Sequence, residues 1–372
     1  MSGRFSFCII YRIGTKGTLL TVFEFIKEMF NLKNKSKLLL CILISMCFVV
    51  EGCTKKAEPI ATPSPSKPIK TESPVKIQQK YYSPYTGEEV KKEILDNIAV
   101  LAIVENSEAA RPQSGLNAAD IVYETMAEGG TPRFIALFQS GNAAKVGPIR
   151  SARSYFLDIS KEYNLPFAHC GGSQEALDEI KNENLMSMNE MTYASTYWRD
   201  NVRKAPHNLY TSTDKLRELV KTKKLIKAPT VKIKFDKSYW DSDKLSQAKD
   251  VLLKINKLYN TSYTYNNGYY LKSMDGVSST NNEDKLPLTF KNIVVQITSI
   301  KTQADGNHLD IALVGTGDGY VISNGKFIKM HWTKKNVTSQ TLLTDEEGNV
   351  LPLNPGKTCW NIVDKSTIVD IK

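Results

Sequence analysis

The longest unbroken apolar stretch comes early: Leu38–Val50 runs for 13 residues with only Ser45 and two cysteines among large apolar side chains. It falls short of the roughly 20 residues a spanning helix needs. It also follows Lys33, Lys35 and Lys37, which is the layout of an export signal. Beyond about Lys80 the pattern becomes that of a folded protein. Asn97–Val104 predicts a buried strand, and Ile121–Met126 and Phe134–Phe138 predict two more, separated by Gly129-Gly130. Ala152, Tyr155, Phe156, Ile159 and Tyr163 then share one helical face, which predicts a helix from just after Gly147-Pro148 to before Pro166.

A short strand is expected at Phe167–Cys170, then a turn at Gly171-Gly172 and a helix through Ile180 with Ser173 as its N-cap. Thr211-Ser-Thr-Asp214 has capping-box-like spacing ahead of Leu216, Leu219 and Val220, and Pro229 closes that helix. From about Val231 the pattern changes to one helix near Lys244–Lys254 and then short alternating runs. These are punctuated by Asn267-Gly268, Asn324-Gly325 and Glu347-Gly348, which are hairpin signals. The division expected is an α/β-type N-terminal domain at 83–228 and a β-rich C-terminal domain at 229–372, with no internal repeat.

The start of the chain divides further. The apolar run ends at Val50-Glu51-Gly52-Cys53, similar to the bacterial lipobox, in which a small residue precedes the cysteine that accepts diacylglycerol; Glu51 is an unusual occupant. Residues 53–82 are rich in Pro, Ser, Thr and Lys, the composition of an extended tether. The signal at 29–52 begins naturally at Met29, which leaves 1–28 as an extension from a mis-assigned start. The expectation is an exported lipoprotein on the outer face of the cytoplasmic membrane, anchored through diacylglycerol on Cys53.

Composition changes this picture little. Charged residues at 24% and hydrophobics at 41% are ordinary for a globular protein. Of the formal net charge of +10, the first 52 residues carry +4, from seven Lys/Arg against three Asp/Glu, which leaves +6 on the rest. No basic stripe interleaved with aromatics points to nucleic acid. Only Cys170 and Cys359 fall in the folded part; no cysteine pair has metal-ligand spacing, and one bridge between the two is permitted in an exported protein.

Four runs carry a resemblance: Ala110–Glu124, Ala127–Gln139, Val146–Arg153 and His169–Ser173, followed by Trp198-Arg199-Asp200 and Ala205-Pro-His-Asn208. With a weaker block at Gly319–Trp332 and Asn354–Trp360, the chain resembles the YerB-like lipoproteins over most of residues 83–365. It departs from them at Thr131-Pro132-Arg133 and at Asp275-Gly276, which lacks a His-containing continuation. The resemblance implies an α+β fold, a layered β-β-α sandwich in the N-terminal part, and an envelope location. It brings no established reaction or cofactor.

Chemistry must therefore come from the residues. Arg111, Arg133, Arg150, Arg153, Arg199 and Arg203 all lie in the matching runs, whereas Lys supplies nearly all the positive charge elsewhere after Cys53. Guanidinium offers a planar fork suited to carboxylate or phosphate. Arg150 and Arg153 flank the predicted helix start, where two guanidinium groups and free N–H groups could meet one oxyanion. The competing expectation is that Glu124, Glu128, Asp158 and Asp200 pair with these arginines to hold loops. His169, His207, Glu124 and Glu128 are the candidate acid/base residues. Ser173 reads as a cap, and Tyr259, Tyr263, Tyr265, Tyr269 and Tyr270 as cross-strand packing in preference to a sugar-stacking surface. Two functions follow: a binding or scaffolding module for an anionic envelope component, wall polymer or partner protein, or a hydrolase or transferase on an anionic wall or lipid-linked substrate.

Overall fold

The computed structural model describes residues 79–372; Cys53, the signal at 29–52 and most of the tether lie outside them. The described chain is rich in strand with few helices. Its principal elements are β1 (Val100–Glu105), β2 (Ile121–Met126), β3 (Pro132–Phe138), α1 (Ser154–Tyr163), β4 (Phe167–His169), α2 (Gln174–Asn182), β5 (Ser187–Asn189) and α3 (Thr213–Lys223). The second half adds α4 (Lys237–Asp241), β6 (Ser246–Gln247), β7 (Asp250–Lys254), β8 (Asn260–Asn266), β9 (Tyr269–Met274) and β10 (Val277–Ser278). Then come β11 (Asn292–Thr298), β12 (Ile300–Thr302), β13 (Leu309–Ile311), β14 (Gly315–Ser323), β15 (Lys326–Lys334), β16 (Leu342–Thr344), β17 (Thr358–Asp364) and β18 (Ile368–Ile371).

One large sheet runs in the order β6-β15-β14-β11-β17-β2-β3-β1-β4-β5, with β16 on β15. Strands from both sides of residue 228 thus share it. The seam is the parallel pair β17–β2, in which Cys359 lies opposite Val122. A second sheet, β10-β9-β8-β7-β18, packs on one face.

The near-continuous apolar runs of β1 to β3 are explained by burial on both faces. Val104, Val122 and Phe134 point toward Leu253, Tyr263 and Tyr270 of the second sheet and Leu216 of α3. Their neighbours Ile103, Tyr123 and Ile135 point toward Phe156, Ile159 and Tyr163 of α1. Both hairpin signals at Asn-Gly hold: Asn267-Gly268 joins β8 to β9 and Asn324-Gly325 joins β14 to β15, with all four residues at positive φ as this turn requires.

Several local expectations are corrected. The helix does not start after Pro148, because residues 148–152 are extended and their backbone is spent on neighbours: Arg150 N–H donates to Ile103 O, and Ala152 N–H to Gly171 O. α1 begins only at Ser154, with Arg153 at the cap position. Ser212, not Thr211, caps α3 by accepting from Lys215 N–H, while Thr211 pairs through its backbone with Val146. That helix ends at Lys223, ahead of Pro229, with Lys224 left-handed. The helix expected at Lys244–Lys254 is instead β6 and β7. Val251 and Leu253 alternate inward there, and the helix lies earlier, where Asp236 caps α4. Ser173 caps α2 as expected, accepting from Ala176 N–H. Cys170 and Cys359 are both free thiols.

Candidate functional site

In the large sheet β1, β2, β4 and β5 run parallel and β3 runs opposite. The carboxyl ends of β1, β2 and β4 therefore share an edge with the start of β3. Open sheets bind ligands at this edge because strand-end loops and unpaired backbone converge there. β1 and β4 pair only over Leu101–Phe167 and Ala102–Ala168. Beyond that they splay, and Arg150 fills the gap, donating its N–H to Ile103 O and accepting from Cys170 N–H.

Three predicted arginines meet here. Arg133 opens β3 opposite Glu105, the last residue of β1. Its guanidinium donates to Ser151 O at 3.0 Å and lies 3.5 Å from Glu128. Arg153 grips the same Glu128 carboxylate with two nitrogens, Nη2 at 2.7 Å, and donates to Ala152 O. Burial alone would raise the Glu128 pKa. The Arg153 hydrogen bond and the Arg133 and Arg153 charges outweigh it and hold the acid below the ordinary carboxylate range.

Arg150 is different. Its side chain is 27% exposed, its Nε lies 3.5 Å from Glu105 Oε2, and its guanidinium makes no hydrogen bond among the described residues. Glu105 is buried, at 3% exposure, and its other oxygen accepts from Ser107 Oγ at 2.7 Å and from Nδ1 of His207 at 2.8 Å. The His207 side chain keeps 30% exposure, so an oriented imidazole faces outward from a buried carboxylate.

The remaining arginines tie loops to this edge. Arg111 donates to Asn106 O and pairs with Asp275 at 2.9 Å, which gives that loop a role despite its departure from the family pattern. Arg203 donates to Pro112 O and the Tyr210 hydroxyl, and Arg199 to Asn208 Oδ1. A groove of about 670 Å³ opens beside Arg111, lined also by Gln113, Lys257, Leu258 and Asp275.

Two acid/base candidates are not presented to an outside substrate. His169 is wholly buried, with Nδ1 on Gly171 O and Nε2 on Ser187 Oγ, both at 2.7 Å, and burial pushes its pKa down to about 4. Glu124 is also buried and meets Lys272 at 2.6 Å rather than an arginine. The expected loop-holding pairs are corrected likewise. Glu128 alone among the four named acids pairs with these arginines, Asp200 pairs with Lys145, and Asp158 forms no ion pair among the described residues. Burial raises the Asp158 pKa to about 6. Among the tyrosines, Tyr259, Tyr263 and Tyr270 are buried, and Tyr265 packs on Tyr270 across the hairpin at 5.1 Å. Sequence reasoning missed Glu105, although an acid closing the apolar strand Val-Leu-Ala-Ile-Val-Glu was a readable signal.

A strand-rich chain with an arginine and carboxylate cluster at parallel strand ends defines a class before it suggests a reaction. Residues 85–226 match the N-terminal domain and 251–360 the C-terminal domain of a family described as protein of unknown function DUF3048, and the chain belongs to that family. It is 32% identical over 337 residues, covering 88% of this chain and 96% of the relative, to a protein of Bacillus subtilis (strain 168) named "Putative lipoprotein YerB". A crystal structure of the YerB protein from Bacillus subtilis is similar with a TM-score of 0.70 at 31% identity, covering 78% of this chain and all of that one.

Proposed function

We propose that this chain is an extracytoplasmic lipoprotein, exported by residues 29–52 and held to the membrane through Cys53, that binds an anionic component of the cell envelope or the carboxylates of a partner protein. The name of the Bacillus relative supports the anchoring. The binding reading rests on Arg150, a half-open guanidinium without a hydrogen bond at the splayed strand ends, flanked by Arg133 and Arg153. An incoming oxyanion would gain charge-assisted bonds there.

The test is equilibrium binding of the protein to an anionic polyphosphodiester wall polymer and to vesicles of anionic lipid. Arg150→Ala is expected to weaken binding by about tenfold, a loss of about 1.4 kcal/mol, and binding should fall with added salt. Unchanged binding in an Arg150→Ala, Arg153→Ala double variant refutes it. Fatty-acid labelling that persists in Cys53→Ala refutes the anchor.

The Glu105–His207 pair supports a second reading, a hydrolase or transferase on the same anionic substrate, with His207 as acid/base. Hydrolysis of a chromogenic phosphodiester or ester that vanishes in His207→Ala supports it. Rates equal to buffer in the wild type dismiss it.

A further inference from the structure

Beneath this edge lies a second polar group that the binding site does not use. Asn106, Glu124 and Lys272 are all essentially inaccessible, at 0%, 1% and 0% exposure. They come from three places: just after β1, within β2, and within β9 of the second sheet. One carboxylate holds the other two. Glu124 Oε2 accepts from Lys272 Nζ at 2.6 Å, and its Oε1 accepts from Asn106 Nδ2 at 2.9 Å. The amine and the carboxamide nitrogen are thus bonded to the two oxygens of one carboxylate. The amine also donates to the Tyr263 hydroxyl at 3.2 Å and to Thr261 Oγ1 at 3.4 Å, and the rings of Phe134 and Tyr263 lie 5.8 and 4.8 Å away.

The Asn106 carboxamide is polarised as an electrophile would be. Its Oδ1 accepts from Gln113 Nε2 at 2.8 Å and from Arg111 Nε at 3.4 Å. These are two donors aimed at an oxygen that would gain charge in a tetrahedral intermediate. A buried amine, a carboxylate touching both reactants and an oxygen-stabilising pair are the parts an acyl transfer needs.

The geometry points to an intramolecular isopeptide bond between Lys272 and Asn106. Glu124 takes a proton from the Lys272 ammonium, and the free amine attacks Cγ of Asn106. Negative charge gathers on Oδ1 against Gln113 and Arg111, Glu124 passes that proton to Nδ2, and it then takes the second proton that Nζ sheds on becoming an amide, so that it ends as the neutral acid. The Nζ–Cγ bond forms, the Cγ–Nδ2 bond breaks, and ammonia leaves. No electrons are exchanged and no co-reactant is consumed. The side chains must close until Nζ lies about 3–3.5 Å from Cγ. The product exchanges a buried ion pair, costly to desolvate, for a neutral amide. It also staples the second sheet to the first in a chain whose two described cysteines are unbridged.

The experiment is mass spectrometry of the purified full chain, denatured, intact and after trypsin. A mass about 17 Da below that of the sequence, and a branched peptide joining the Asn106 and Lys272 segments with no cleavage after Lys272, are expected. Glu124→Ala and Lys272→Met should restore the full mass. Linear, unmodified Asn106 and Lys272 peptides from the wild type overturn the proposal whether or not those variants fold. A loss of about 18 Da with the branch at Glu124 overturns the assignment to Asn106.

Discussion

Replacing Glu128 by Gln removes one charge and almost no volume, and so isolates what that carboxylate does for Arg133 and Arg153. In the folded protein it is the only acid within salt-bridge distance of either guanidinium among the described residues. The three side chains keep only 14%, 10% and 13% exposure. Removing one partner of a fully buried pair costs about 3–5 kcal/mol, because the remaining charge stays desolvated. With this residual exposure, about 2–3 kcal/mol is expected here, a fall of roughly 4–8 °C in Tm.

The pH dependence fixes the sign. The Glu128 pKa is lowered on folding, so its stabilisation is full above the ordinary carboxylate range and lost as pH falls through the folded value. Urea titrations of wild type and Glu128→Gln should therefore differ by the full amount at pH 7, and the difference should shrink as pH falls below the ordinary carboxylate range. Sulfate, offering an anion to the freed guanidiniums, should recover part of the lost Tm in the variant and little in the wild type. A difference under about 0.5 kcal/mol at pH 7, or one that grows as the solution is acidified, would refute the reasoning.

Other consequences follow from buried groups. His169 titrates near 4 in the fold against an ordinary 6.5, so the protein should lose about 3 kcal/mol of stability as pH falls between those values; His169→Gln should flatten that slope in a pH series of denaturant melts. Asp158 carries the opposite sign. Its pKa is raised to about 6, so stability is lost as pH rises through that value, and Asp158→Asn should gain about 2 kcal/mol at pH 8 and nothing at pH 3. A Cβ on Gly319 would run into the Val295 carbonyl of the neighbouring strand, so Gly319→Ala should cost about 1–3 kcal/mol in a thermal melt.

How much of this was legible follows the range of the forces involved. β2 and the two Asn-Gly hairpins are local. A run of β-branched and apolar residues, or a dipeptide that tolerates positive φ, specifies itself within a few positions, and the sequence placed each. The Ser173 cap was legible for the same reason, one side-chain oxygen three residues from the N–H it accepts. The late start of α1 was not, since only strands far away in sequence decide that the backbone of Arg150 and Ala152 is already bonded. Nor was the strand at Asp250–Lys254, whose alternation becomes decisive only when β8 and β18 pair on both sides.

The candidate site divides in the same way. Arginine choice is a chemical fact carried by the sequence alone, and the fold brings Arg133, Arg150 and Arg153 to one sheet edge. Which arginine stays open and which acids close the others is a matter of register. Arg133 faces Glu105 because β1 and β3 pair as they do, and Arg150 stays half-open because β1 and β4 part beside it. The sequence determined which groups were present and which short segments could hold their own shape. Only the tertiary structure decided which charges met and which were left facing water, because ion pairing depends on distances of a few ångströms between residues that chain order does not bring together.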